Sequence, residues 1–194
     1  MFDNDRGFKI VARHACPGLG SSAGIPCEHW QSVGDTLQTT GRLADRAFKV
    51  RNGGKRFVVY MEAYTYWKGT APWSVLVKGA LLSEREHLPT VSLVFILRPR
   101  RYRPQKGVSR LRARGKPTQQ VWFEEVCPWK LRPASWWETT PGLMALYPLC
   151  RHGKSRRGAV SHAAGVIQER VTDPMARGDM LTTLGVFGKL AYPG

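Results

Sequence analysis

The residues of this sequence best placed to do chemistry are two carboxylates, Asp45 and Glu62, on the two arms of one expected β-hairpin. The runs at 44–50 (ADRAFKV) and 55–64 (KRFVVYMEAY) are β-rich, and Arg51-Asn52-Gly53-Gly54 separates them. Asn-Gly and Gly-Gly signal a hairpin, because tight primed turns need residues that tolerate positive φ. With Gly53-Gly54 as the loop, Asn52 pairs with Lys55 and Asp45 with Glu62. With Asn52-Gly53 as the loop, Asp45 faces Tyr60 and Glu62 lies on the diagonal. Either register puts both carboxylates on one sheet face. Directly opposed residues have Cβ atoms roughly 4.5–5.5 Å apart, and two carboxylates that close repel unless a cation sits between them. A divalent metal with oxygen ligands suits the place. It would polarise a phosphate and activate a water for phosphodiester cleavage. Tyr64, two residues past Glu62, points the same way as a third polar member. The plainer alternative is a pair of solvated strand carboxylates, each bridged to an arginine such as Arg42 or Arg46.

The hairpin that must hold this pair has its own pattern. Phe57, Val59, Met61 and Ala63 form an apolar face fit for the core, and Val58, Tyr60, Glu62 and Tyr64 form the other. Pro72 opens an expected helix, PWSVLVKGALLSEREH, since proline suits a first helical turn; Pro89 lies just past its end. Residues 91–97 (VSLVFIL) read as a buried strand and 119–126 (QQVWFEEV) as another. Residues 1–40 are broken by Pro17, Gly18, Gly20, Gly24 and Pro26, so they read mostly as loop with one short helix near 28–33. Helices are expected at about 159–171 and 175–190. The order strand, strand, helix, strand, strand, helix, helix gives an α/β sheet with helices on its faces.

Between the last two strands lie nine basic residues with no acid among them: Arg98, Arg100, Arg101, Arg103, Lys106, Arg110, Arg112, Arg114 and Lys116. A segment so charged is expected to be a mobile loop riding on phosphates, and Arg151–Arg157 adds a second patch. The bland counterpart is a solvated loop without a partner. His14-x-Cys16 and Cys27-x-His29 carry zinc-type ligands, but one-residue gaps depart from the usual two-to-four-residue spacing. Among the seven tryptophans, Trp129, Trp136 and Trp137 in a Pro-rich connector read as packing anchors rather than base-stacking platforms.

The formal net charge is +16 over 194 residues, which bears on partners rather than on fold. A polyanion such as a nucleic acid is the natural partner, and no broad basic amphipathic helix favours a membrane. No run approaches the ~20 apolar residues that span a bilayer. The first residues lack a signal-peptide core, so a cytoplasmic setting is expected.

From Arg42 onward the chain resembles the Rpn-type, transposase-associated proteins of the PD-(D/E)xK nuclease superfamily, found in bacteria. RLADRAFKV resembles the strand with the first catalytic Asp, here Asp45. RFVVYMEAY resembles the strand ending in Glu-x-Gln, here Glu62-Ala63-Tyr64. VSLVFILRP resembles the next strand with its exit turn, PGLMALYPLC a proline-flanked segment, and ARGDMLTTLGVFGKLAYPG the C-terminal helix. The resemblance implies a restriction-endonuclease-like α/β core, a mixed β-sheet with flanking helices. It also implies an endonuclease acting on DNA with Mg²⁺ or Mn²⁺, with Asp45, Glu62 and Tyr64 catalytic and Asp45 and Glu62 holding the metal. Residues 1–40 would form an irregular N-terminal segment. Residues 41–150 would be the nuclease-like core, with a basic insertion at 98–116, and 151–194 the C-terminal helices. The family has Lys or Gln where this chain has Tyr64. A neutral phenol with an ordinary pKa near 10 is a poor base at neutral pH, so position 64 is expected to limit catalysis. The expected alternative function is non-catalytic nucleic-acid binding through the basic surface.

Overall fold

The structure, a computed structural model, describes residues 4–25, 27–33, 46–100, 102 and 107–192. The chain divides into two compact units: Met1–Ile25 with Cys127–Gly194, and Pro26–Val126. Helix α1 (Asn4–Ser22) belongs to the first. The second contains β1 (His29–Val33), β2 (Arg46–Asn52), β3 (Lys55–Tyr64), α2 (Ala71–Glu86), β4 (Thr90–Ile96), β5 (Val108–Ala113), β6 (Lys116–Trp122) and β7 (Glu124–Val126). One sheet runs in the order β1-β2-β3-β4-β7, and β5 pairs with β6 apart from it. The first three strands form an antiparallel meander, and β4 lies parallel to β3. Parallel neighbours need a crossover, and α2 provides it. The fold is thus α/β, with a mixed sheet and flanking helices.

The hairpin turn is Gly53-Gly54. Both glycines have positive φ, 55° and 76°, as a primed two-residue loop demands. Asn52 pairs with Lys55 and the register continues to Arg46 opposite Met61. Asp45, one step further, lies outside the described residues.

Two expectations are corrected, and one sheet face is found covered. Residues 4–22 are helical and 29–33 are a strand, where loop and a short helix were expected. Helix α1 bends at Ala15 (φ −139°, ψ 22°), so Pro17 falls in the first turn of a second helical segment, where its missing N–H costs nothing. The face carrying Val58, Tyr60 and Glu62 is not solvated: α2 covers it, with Leu82 packed among Val33, Ala47, Val58 and Tyr60. Val59 and Met61 on the other face are equally buried, so β3 is a central strand hidden on both sides. Finally, much of the basic segment is not loop. Residues 108–113 and 116–122 form a hairpin, and the strand expected over 119–126 is split at Phe123 between β6 and β7.

The other unit is helical, with α1, α3 (Pro141–Met144), α4 (Arg156–Arg170) and α5 (Pro174–Ala191). Ser155 caps α4 by accepting from the Gly158 amide at 3.2 Å. Asp173 caps α5 by accepting from Met175 and Ala176. Trp137 is buried, as a packing anchor should be, and Trp136 is exposed. Close approach explains Gly142: a Cβ there would lie 2.9 Å from Ala15 Cβ and 3.0 Å from the His14 carbonyl oxygen. Gly142→Ala is therefore expected to destabilise by about 1–3 kcal/mol through overpacking, seen as a lower denaturant midpoint at unchanged m. Among the described residues, no helix is long and apolar enough to cross a membrane.

Candidate functional site

Alternation along β3 puts Tyr60, Glu62 and Tyr64 on one face, under α2. The helix buries a stripe of Ala71, Val75, Lys78 and Leu82, the spacing of one face of a 3.6-residue helix. Three members are apolar and the fourth is a lysine. Its ammonium lies 2.9 Å from Glu62 Oε1, and Glu62 and Lys78 are only 5% and 8% exposed. Ser74, one turn earlier on the helix, donates to Glu62 Oε1 at 3.1 Å and reaches Oε2 at 3.4 Å. Tyr64 donates to Oε1 at 2.7 Å, and Tyr60 donates to Oε2. The Lys78 ammonium also stands 5.7 Å from the centre of the Tyr60 ring.

Among the described residues, the centre is therefore one buried carboxylate, neutralised by one ammonium and ringed by three hydroxyls. Isolated buried charges are costly; here the compensation is internal. Oε1 already accepts from three donors, so a divalent cation could coordinate it only by displacing Lys78 or a hydroxyl. Among the described residues, no three His, Cys, Asp or Glu converge as a metal-holding group. As described, the donor set fits a hydrogen-bonded ion pair better than a metal. The sharing of a cation by Asp45 and Glu62 rests on strand register alone.

The plainer reading of Glu62 as a solvated strand residue does not hold, because the side chain is buried. Tyr64 does belong to the centre, as a hydrogen-bond donor to Glu62. Sequence reasoning missed Tyr60, Ser74 and Lys78. The signal for Lys78 was present: a lysine in phase with the apolar stripe of an otherwise well-formed helix must meet an anion on the buried side.

Of the basic residues, Arg100, Arg110, Arg114 and Lys116 are exposed and Arg98 is half-buried. Arg112 lies on β5, and Arg101, Arg103 and Lys106 lie outside the described residues. Arg110 donates to Gln120 across the β5–β6 ribbon at 3.0 Å. Two positions along from Gln120, on the same face, Trp122 is 67% exposed. Arg151–Arg157 is largely exposed and ends in the first turn of α4. The four zinc-type residues fall in different units: His14 and Cys16 lie on α1, while Cys27 and His29 lie in the sheet unit. Burial pushes the Cys16 thiol up to about 11, which disfavours the thiolate that a metal needs.

Comparison with protein-family models, with curated proteins and with solved structures finds no match to this chain.

Proposed function

We propose that this chain is a nucleic-acid-binding protein built on a nuclease-like α/β sheet, whose former carboxylate centre is closed and does not cleave. The observation that carries the non-catalytic part is the buried Lys78–Glu62 pair, 2.9 Å long, on a carboxylate whose oxygens are already filled by hydroxyl donors. A phosphodiester could reach Glu62 only if α2 moved or Lys78 gave way. The binding part is supported by the +16 charge and by the exposed arginines and lysine of the β5–β6 ribbon. Cations that neutralise phosphates release condensed counterions. A two-stranded ribbon also fits the major groove of duplex DNA.

The same contact favours one other reading. Lys78 brings to Glu62 the cation that position 64 lacks, so the centre would be an endonuclease site with its lysine on the neighbouring helix. The two readings differ in one assay: plasmid nicking with Mg²⁺ or Mn²⁺, run beside a gel shift on the same DNA. Binding without nicking supports the closed centre.

A further inference from the structure

Across the first three strands the pairing register sets basic side chains in a row. His29 stands opposite Arg51, and Arg51 opposite Arg56. The adjacent row is Gln31, Lys49 and Val58, on the same face because side chains alternate along a strand. His29, Gln31, Lys49, Arg51 and Arg56 border an open groove of about 350 Å³. That is the size of a small-ligand site.

The charges of this groove are unevenly answered. Lys49 is bound to Glu86 at 2.6 Å. Among the described residues, Arg51 has only a 4.0 Å approach to Glu28, and both of those side chains are well exposed. Among the described residues, no carboxylate pairs with Arg56. Like charges directly opposed on a sheet destabilise it, and Arg is not demanded by strand propensity at either position. An anion lying between the two guanidinium groups turns the repulsion into attraction. Guanidinium forks match phosphate oxygens two at a time. The Gly53-Gly54 turn fixes the spacing of the two arms that carry them.

We propose that this groove is a phosphate-binding site, with Arg51 and Arg56 as the clamp, His29 and Gln31 as flanking polar groups, and Lys49 held in place by Glu86. The phosphate belongs either to a nucleic-acid backbone or to a free polyphosphate. Only the first source rests on the function proposed above.

The test uses the full chain and two probes: tripolyphosphate by titration calorimetry, and a labelled DNA duplex by fluorescence anisotropy. Wild type is compared with Arg51→Thr/Arg56→Thr and with a ribbon variant, Arg110→Ser/Arg114→Ser/Lys116→Ser. Threonine keeps strand propensity. The groove variant is expected to lose about tenfold or more in tripolyphosphate affinity, as charge-assisted hydrogen bonds are removed. Its thermal midpoint should hold or rise, because a repulsion goes with them. A parallel loss on the duplex assigns the phosphate to a backbone; a loss on tripolyphosphate alone assigns it to a free polyphosphate, and either upholds the site. Wild type that ignores tripolyphosphate, or a groove variant that binds both probes as tightly as wild type, overturns it. Wild type that binds tripolyphosphate but no duplex leaves the groove standing and removes the nucleic-acid reading. Duplex affinity lost only in the ribbon variant, with tripolyphosphate affinity unchanged in the groove variant, removes the groove and leaves the nucleic-acid reading standing.

Discussion

Lys78→Met is expected to lower the stability of the chain by about 3–5 kcal/mol, the effect of stripping one partner from a buried ion pair. The mutation removes the ammonium and leaves Glu62 buried with, among the described residues, three hydroxyls and no other cation bonded to it. Methionine keeps the length and apolar contacts of the stem, so little of the loss comes from packing. For a chain of this size the midpoint should fall on the order of 10 °C. Glu62→Gln alone should also destabilise, by leaving Lys78 buried without its anion. The double variant, Glu62→Gln/Lys78→Met, should recover most of the loss, because neither charge is then orphaned. Thermal unfolding of the four proteins closes the cycle. A coupling near zero would mean that the two groups are solvated and independent, contrary to their burial.

Neutralising Arg100, Arg110, Arg114 and Lys116 together is expected to flatten the dependence of log affinity on log salt, by about 0.9 for each phosphate of duplex DNA that the variant no longer neutralises. All four side chains are exposed, so the change should leave the fold intact by circular dichroism. The weakening should be nearly independent of sequence, since phosphate contacts position a protein without reading bases. An unchanged slope would move the phosphate-binding surface elsewhere, with Arg151–Arg157 the next candidate. Trp122→Ala adds a separate readout on single strands, where stacking on an exposed indole contributes about 1–3 kcal/mol per base. The exposure of Trp122 was not legible in the sequence, because QQVWFEEV reads as one continuous strand in which an indole has every reason to be buried.

The elements that punctuate themselves were legible. The Gly53-Gly54 turn is one of the two registers that the turn residues allowed, Pro72 and Pro89 bracketed α2, and the unbroken apolar run at 91–97 marked a buried strand, which the structure shows to be parallel to β3. Helix α1 was hidden because its proline and glycines look like loop residues; Pro17 instead restarts the helix after the bend, and a Cβ on Gly18 would meet Leu143 at 2.7 Å. The β5–β6 hairpin was hidden by its turn. Arg114 and Gly115 both take positive φ, 52° and 76°, and Arg-Gly is not among the pairs that announce a primed turn. At the candidate site the strand members Glu62 and Tyr64 could be read from alternation. Lys78 could not be assigned to them, because only the α2 crossover brings it beside β3. That pairing changes the chemical account. Tyr64 does not leave the centre short of a cation, since Lys78 is there; the carboxylate is instead saturated with donors.

The central claim, a nucleic-acid-binding protein with a closed carboxylate centre, is tested most directly by supercoiled plasmid incubated with the wild-type chain and Mg²⁺ or Mn²⁺, under conditions where a gel shift shows the DNA bound. The expected result is a full shift with no nicked or linear product above the metal-only control, and the same outcome for Glu62→Gln. Metal-dependent nicking by wild type that disappears in both Glu62→Gln and Lys78→Met, each verified as folded, would contradict it and establish Glu62 and Lys78 as working parts of a nuclease.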